Sequence, residues 1–88
     1  MSTIVVYKAQ RCGYCVAAVR FLREVKNVDV EEIDLTGEWD ARKELSQRTG
    51  QRTVPQIFIG AHHVGGYDDM MALERAGQLD PILDGLGK

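Results

Sequence analysis

The stretch TIVVYKAQRCGYCVAAVRFL, residues 3–22, contains the junction that decides the fold. Its first part, Thr3–Tyr7, is β-branched and aromatic, which predicts a short strand buried on both faces. From Gly13 to about Asn27, apolar residues recur at helical spacing, with charged residues on the opposite side. A strand followed directly by a helix predicts a βα junction, and Cys12 and Cys15 lie at it.

The rest of the chain continues this alternation of strands and helices. The predicted elements are a half-buried strand at 28–33, a helix at 38–49 that ends at Gly50, strands at 56–59 and 62–64, a helix opened by Asp68 and Asp69, and a short helix within 79–88. The second helix has a thin apolar face of Trp39, Ala41 and Leu45. The order β-α-β-α-β-β-α predicts an α/β fold: a four-stranded mixed sheet flanked by helices, with a parallel pair extended by an antiparallel hairpin.

Length and charge limit what the chain can do. Its 88 residues predict a single domain over 1–88, and the formal charge of −2 gives no general attraction to nucleic acid or to an anionic membrane. No segment approaches the roughly 18 apolar residues that a membrane span needs, and no basic segment precedes the first apolar run. We therefore expect a cytoplasmic protein, where a cysteine pair is more often catalytic or metal-binding than structural.

Cys12 and Cys15 are the only cysteines, and their position suits thiol–disulfide exchange. At a helix start, free N–H groups and the helix dipole favour a thiolate, so we expect a lowered pKa for the Cys12 thiol, with Lys8 and Arg11 acting in the same direction. The i, i+3 spacing brings the two Cα atoms within the roughly 4.4–6.8 Å that a disulfide tolerates. The pair therefore predicts an exposed nucleophile and a shielded partner thiol.

Two other interpretations of the pair stay open. A zinc site would need His62 and His63 as further ligands, yet neighbours on a strand point to opposite faces, so only one of them could easily reach the metal. The cysteines could also be small core hydrophobes without chemistry. We favour redox chemistry and expect both histidines to be exposed hairpin residues.

The chain contains three separate motifs: CGYC at 12–15, RTVPQIFI at 52–59 and GGYDD at 65–69. Their order and spacing are those of the glutaredoxin family, which the chain resembles from Thr3 to about Pro81. The resemblance implies a thioredoxin-like fold and a glutathione-dependent thiol–disulfide oxidoreductase. It would reduce protein–glutathione mixed disulfides and some protein disulfides, with glutathione as co-substrate and the oxidised proteins as partners. Cys12 would be the nucleophile and Cys15 the resolving thiol of a monomeric enzyme.

The resemblance also implies a glutathione site. The loop with a cis Pro55 would face the cysteines, and the backbone of Val54 would pair with the cysteine of glutathione. Backbone N–H groups at the start of the helix near GGYDD would hold the γ-glutamyl carboxylate, a carboxylate of Asp68 or Asp69 would hold its ammonium group, and Tyr14 would form a wall. The implied residues are Lys8, Arg11, Tyr14, Gln47, Thr53, Val54, Pro55, Gly66, Tyr67, Asp68 and Asp69.

Without the resemblance, the same segments have simpler interpretations. Asp68 and Asp69 would be helix caps, and Gly65-Gly66 would be a turn. Arg52, like Arg48, would be a solvated surface residue.

Two positions depart from the family pattern. Ala9 stands where the family commonly has a lysine. Lys8, Arg11 or Gln47 would then have to bind the glycine carboxylate of glutathione. Lys8 would point away from the site if the strand alternation continued, so Arg11 is the expected substitute. Gly13 stands where dithiol members usually carry proline.

Some members with glycine or serine at the position of Gly13 bridge a [2Fe–2S] cluster between two protomers. Each protomer supplies its first cysteine, here Cys12, and one glutathione. A cluster-bridged dimer, acting as an iron–sulfur carrier or redox sensor, is therefore the alternative function. Reduction by thioredoxin reductase is a third possibility, which the intact TVP and GGYDD segments disfavour.

Overall fold

A four-stranded sheet forms the centre of the computed structural model, which describes residues 3–85. The strands are β1 (Ile4–Lys8), β2 (Glu31–Asp34), β3 (Gln56–Ile59) and β4 (His62–Gly65), in the order β2-β1-β3-β4. β1 pairs with β2 in parallel, whereas the β1–β3 and β3–β4 pairs are antiparallel. The predicted parallel pair extended by a hairpin is confirmed.

Four helices flank the sheet within the described residues. They are α1 (Gly13–Arg20), which continues as a π-helical segment (Phe21–Val25), α2 (Trp39–Thr49), α3 (Tyr67–Arg75) and α4 (Leu79–Asp84). α2 ends as predicted at Gly50, whose φ of 76° is the left-handed conformation that glycine tolerates best. The predicted domain and tail helix also include residues 1–2 and 86–88, which lie outside the described range. No helix in 3–85 is long and apolar enough to cross a membrane.

The second strand begins later than predicted. Residues 28–33 were expected to pair, but pairing with β1 starts at Glu31 and continues to Asp34. The reason is that the Val28 N–H still donates to the Leu22 carbonyl, 3.2 Å away, so the chain at Val28 remains bound to the end of the preceding helix.

The main hydrophobic core lies on one face of the sheet. In β1, Ile4 and Val6 are buried while Val5 and Tyr7 are only half-buried, so the prediction of a strand buried on both faces was wrong. Side chains alternate across a strand, and the helices cover one face fully. The buried core residues are Ile4, Val6, Ala18, Val19, Leu22, Val30, Ile57, Ile59, Met70 and Leu79.

The predicted apolar face of α2 was also wrong. Leu45 is buried, but Ala41 is exposed and Trp39 keeps 76% of its surface accessible. The helical repeat explains the exposure of Trp39, because a position six residues further along the helix, such as Leu45, lies on the other side. Trp39 therefore belongs to the outer face of α2.

Candidate redox-active site

Cys12 and Cys15 form a disulfide at the start of α1, with their Cα atoms 5.2 Å apart. This separation lies within the range predicted from their spacing. Cys12 is half-buried, whereas Cys15 has only 2% of its surface accessible. An attacking thiolate can therefore reach the sulfur of Cys12 more easily than that of Cys15, and so can a disulfide substrate once the pair is reduced.

Cys12 is the N-cap residue of α1. Its Sγ accepts the Cys15 N–H at 3.1 Å, and its carbonyl accepts the Val16 N–H at 3.2 Å. The sulfur thus occupies the place where a capping side chain meets the free N–H groups of a first turn. After reduction, a thiolate in this position keeps a backbone donor and the positive end of the helix dipole beside it.

The loop before β3 closes over the cysteines. Cys12 Sγ lies 3.7 Å from the carbonyl oxygen of Val54, and the Val54–Pro55 peptide is cis, as the resemblance implies. The loop therefore presents the backbone carbonyl of Val54 to the sulfur of Cys12.

A buried amide holds this loop in place. Gln56 is 2% accessible, and its Nε2 donates to the carbonyl of Gln51 at 2.9 Å. The N–H of Gln51 in turn donates to Oγ1 of Thr49 at 3.2 Å, at the end of α2. Sequence reasoning missed this role, although a glutamine at the head of a predicted buried strand was a signal for it.

The GGYDD segment enters α3 through a conformation that requires glycine. Gly65 has φ of 107°, and a Cβ at this position would overlap the carboxylate of Asp69. That carboxylate accepts the N–H of Gly66 at 2.9 Å, so Asp69 caps the helix. Asp68 is exposed and has no such internal hydrogen bond among the described residues. The helix begins at Tyr67, one residue before the predicted start.

Two adjoining grooves bring most of the predicted residues together. The TVP groove, of about 500 Å³, contains the predicted residues Tyr14, Thr53, Val54, Pro55, Gly66, Tyr67, Asp68 and Asp69. The cysteine groove, of about 760 Å³, contains Arg11 and Cys12 and shares Tyr14, Val54 and Tyr67 with the first. The rings of Tyr14 and Tyr67 lie side by side, with centroids 5.8 Å apart. One continuous surface therefore runs from Asp68 to Cys12.

Lys8 and Gln47 do not line these two grooves. Lys8 lines a third groove that also contains Cys12, and Gln47 lines one on α2 that also contains Arg52. Lys8 Nζ pairs with Glu32 at 2.8 Å, on the side of β1 that also carries Ile4 and Val6, as strand alternation predicts. Glu32 also pairs with Arg23 at 2.7 Å. The hydrogen bond from Lys8, with a further contribution from Arg23, lowers the pKa of the Glu32 carboxyl below its ordinary value.

Several groove residues were not predicted as ligand-binding. Gln51 and Arg52 line the TVP groove, while Gln10 and Arg42 line the cysteine groove. Arg52 directly precedes the TVP segment, so its position along the chain was an available signal. Arg42 is remote in sequence, and only the docking of α2 brings it near Cys12.

The two histidines differ from each other. His62 is exposed as predicted, but His63 is half-buried, with its ring centroid 4.8 Å from that of Phe58. His63 is the strand partner of Phe58, so the two side chains share a face of the sheet. Within residues 3–85, no group of three or more histidine, cysteine or acidic side chains is arranged to hold a metal ion.

Comparisons with known proteins agree with this geometry. The glutaredoxin family model matches residues 4–64. The Glutaredoxin of Pseudomonas aeruginosa is 48% identical over 83 residues, covering 94% of this chain and 98% of that protein. Glutaredoxin 3 of Escherichia coli is 42% identical over 83 residues, covering 94% and 99%.

A solved structure gives the same result for the fold. The buckwheat glutaredoxin–glutathione complex superposes with a TM-score of 0.85 at 40% identity, covering 97% of this chain and 79% of that one. The thioredoxin-like fold is therefore confirmed.

Proposed function

Because this chain belongs to the glutaredoxin family and carries the Cys12–Cys15 pair of a thiol–disulfide oxidoreductase, we propose that it reduces protein–glutathione mixed disulfides, and some protein disulfides, with glutathione as the electron donor. The observation that carries the proposal is the half-buried sulfur of Cys12, which lies at a helix start and opens onto a groove beside the Val54 backbone. The proposal takes residues 1–88 as one domain that acts in the cytoplasm as a monomer.

The first step is an exchange at Cys12. Its thiolate attacks the glutathionyl sulfur of a mixed disulfide and forms a Cys12–glutathione disulfide. The bond to the target protein breaks, and the target cysteine leaves as a thiolate that takes up a proton. The Cys15 N–H stabilises the Cys12 thiolate before attack.

Two routes then regenerate the thiolate. In one, a second glutathione thiolate attacks the bound glutathionyl sulfur, which releases oxidised glutathione and the Cys12 thiolate. In the other, the Cys15 thiolate attacks the Cys12 sulfur and expels glutathione, which leaves the internal disulfide present in the structure. Two further glutathiones reduce that disulfide and leave as oxidised glutathione.

The grooves supply groups for each part of glutathione. In this proposal the backbone of Val54 pairs with the cysteine residue of glutathione, and Asp68, whose side chain makes no hydrogen bond among the described residues, pairs with the γ-glutamyl ammonium group. Arg11, with Arg42 and Arg52, offers positive charge for the glycine carboxylate in place of the lysine that is absent at Ala9. The buckwheat relative, whose structure is that of a glutathione complex, supports glutathione as the ligand.

A comparison of reductants tests the proposal. Turnover of a glutathionylated protein should be fast with glutathione and glutathione reductase, and it should be absent with thioredoxin reductase alone. Reduction by thioredoxin reductase without any need for glutathione would overturn the assignment.

The surface beside Cys12 also favours the cluster-bridged dimer as a second candidate. A Cβ placed on Gly13 meets no atom within 4 Å, so the residue that directly follows the half-buried Cys12 faces open space. The residues of one protomer fit only part of the ligand set of a cluster, because they offer a single accessible thiolate. The other ligands must come from glutathione and from a partner protomer. When bound, a [2Fe–2S] cluster would supply one-electron transfer or be passed to other proteins.

Anaerobic reconstitution with iron, sulfide and glutathione tests this candidate. A coloured dimer that is lost in Cys12→Ser would support it, with Cys15→Ser as the matched control that keeps the colour. A colourless monomer after the same treatment would exclude it.

A further inference from the structure

Residues 9–11 carry the chain from the end of β1 to Cys12 and belong to neither the strand nor the helix. Within them, Arg11 has φ of 59°, in the left-handed region that residues other than glycine rarely adopt. Such a conformation persists only where surrounding contacts hold it. The contacts that hold residues 9–11 therefore also determine where Cys12 lies as the N-cap of α1.

The hydroxyl of Thr36 holds this segment at its middle. Thr36 lies in the loop after β2, and its Oγ1 accepts the N–H of Gln10 at 2.8 Å. The loop that carries Thr36 is itself anchored, because Leu35 has only 4% of its surface accessible and its N–H donates to the carbonyl of Lys8 at 2.8 Å. The hydrogen bond to Gln10 thus joins the segment before Cys12 to a fixed part of the fold.

Asp34 orients the hydroxyl of Thr36. Its carboxylate accepts the N–H of Thr36 at 2.8 Å and also accepts the Thr36 hydroxyl. The hydrogen bond from the hydroxyl, and then that from the N–H, lower the pKa of the Asp34 carboxyl below its ordinary value, with a smaller contribution from Lys8. Because the hydroxyl proton is directed at Asp34, the lone pairs of Oγ1 remain for the N–H of Gln10, and the two hydrogen bonds strengthen each other. We call Asp34, Thr36 and Gln10 the Thr36 brace.

The Thr36 brace lies beside the reactive sulfur. Gln10 and Asp34 line the third groove together with Cys12. The 3.1 Å contact between Cys12 Sγ and the Cys15 N–H requires Cys12 to stay in its N-cap conformation. Since Gln10 is only two residues before Cys12, a displacement of the turn at Gln10 would move the sulfur away from that N–H.

We propose that Thr36 is a positioning residue for the reaction at Cys12. Its hydroxyl, oriented by Asp34, holds the turn at Gln10, and this turn keeps the sulfur of Cys12 beside the first N–H groups of α1. The inference rests on the proposed function and adds to it a residue that lines neither the TVP groove nor the cysteine groove. Without the hydroxyl, the Cys12 thiolate would lose part of its contact with a backbone donor, and less thiolate would form at neutral pH.

Alkylation of the reduced protein by iodoacetamide tests this role without glutathione. A Cys15→Ser background leaves Cys12 as the only thiol, and its alkylation rate against pH follows the thiolate fraction. Thr36→Val keeps the side-chain shape and removes the hydroxyl. We expect alkylation to be about threefold slower below the midpoint of the pH profile and nearly unchanged above it. An unmoved midpoint would overturn the proposal, and so would an equal loss of rate at every pH.

Two further variants show whether the hydroxyl itself is responsible. Thr36→Ser keeps the hydroxyl and should keep the midpoint of the unsubstituted protein. Thr3→Val removes a hydroxyl at an exposed position before β1 and should also leave the midpoint unchanged. A midpoint raised equally in Thr36→Ser and Thr36→Val would contradict a role for the hydroxyl.

The Thr36 variants leave every ionisable group around Cys12 in place, so a moved midpoint reports the position of the sulfur and not a change of charge. Among residues 3–85, the charged and titratable side chains that share a groove with Cys12 are Lys8, Arg11, Tyr14, Cys15, Glu32, Asp34, Arg42 and Tyr67.

Hydrogen exchange at Gln10 in the wild-type protein gives a test that does not depend on the folding of any variant. Gln10 is exposed, yet its N–H should exchange at least about tenfold more slowly than an unstructured amide, because Thr36 accepts it. Exchange at the unstructured rate would overturn the proposal. A slow Gln10 N–H and a moved midpoint in Thr36→Val, together with no turnover of a glutathionylated protein by wild type, would support the Thr36 brace and overturn the proposed function.

Discussion

Gly65 and Asp69 determine how the chain turns from β4 into α3. The φ of 107° at Gly65 lets the backbone pass close to the Asp69 carboxylate, which in turn accepts the N–H of Gly66. The sequence motif placed both residues at a helix start, but it could not say which of the two aspartates caps the helix, because either side chain suits that role.

Gly65→Ala should therefore be strongly destabilising. The positive φ and the overlap with Asp69 together should lower the free energy of unfolding by about 2 kcal/mol or more. Urea denaturation measures this loss. Gly13→Ala is the matched control, because its Cβ meets no atom within 4 Å, and it should change stability by less than about 1 kcal/mol.

Substitutions at the two aspartates should have different effects, one on the stability of the protein and the other on glutathione binding. Asp69→Ala removes the acceptor of the Gly66 N–H and should cost about 1 kcal/mol of unfolding free energy. Asp68→Asn should leave the free energy of unfolding nearly unchanged and raise the KM for glutathione, since it weakens the attraction to the ligand's ammonium group. Denaturation and glutathione kinetics on both variants check this. A stability loss confined to Asp68→Asn would contradict the assignment of the cap.

At the scale of elements, the loop before β3 depends on one buried side chain. Gln56 donates from Nε2 to the Gln51 carbonyl, while its Oε1 is buried without a partner among the described residues. A substitution at this position therefore removes a useful hydrogen bond and an unsatisfied acceptor at the same time.

Gln56→Leu should consequently affect binding more than stability. Loss of the hydrogen bond and removal of the unsatisfied oxygen offset each other in the free energy of unfolding, whereas the loop that carries Val54 loses its anchor. We expect the KM for glutathione to rise roughly tenfold. Gln78→Leu, at an exposed position before α4, is the matched control. An unchanged KM in Gln56→Leu would show that the loop holds its position without this side chain.

Lys26 links three helical elements. Its Nζ lies 2.8 Å from both Glu74 of α3 and Asp80 of α4, at the end of the π-helical segment. The hydrogen bonds to Asp80, and then to Glu74, raise the pKa of Lys26 above its ordinary value.

A raised pKa in the folded state fixes the sign of the pH dependence. The stabilisation from Lys26 is fully present below the unfolded-state pKa of about 10.4 and is lost as the pH rises through the higher folded-state value. The stability difference between wild type and Lys26→Gln should therefore be constant at neutral pH and shrink above about pH 10.5. Chemical denaturation across this range measures it. A difference that grows with pH would contradict the assigned sign.

At the scale of the whole molecule, local patterns predicted the sheet well and the surface less well. The βα junction at Cys12 and the hairpin after Pro55 were enough to predict a parallel pair extended by an antiparallel hairpin, because crossover handedness and turn chemistry leave few alternatives. The start of β2 was missed because the bond from Val28 to Leu22 competes with strand pairing. The pattern of apolar residues within one segment contains no information about such a competition.

The candidate site was predictable where it follows a motif and unpredictable where it depends on docking. The three stretches located Cys12, Val54 and Asp68, and the structure brings them to one continuous surface. Arg42 and the outward orientation of Trp39 depend on how α2 packs, so a single sequence could not give them.

The central claim is that Cys12 is the nucleophile and Cys15 the resolving thiol. A coupled glutathione assay on wild type, Cys12→Ser and Cys15→Ser tests it most directly, with a glutathionylated protein and a protein disulfide as parallel substrates. We predict that Cys12→Ser abolishes both reactions, while Cys15→Ser keeps deglutathionylation and loses most protein-disulfide reduction. Equal loss of deglutathionylation in the two variants, or activity that persists in Cys12→Ser, would contradict the account.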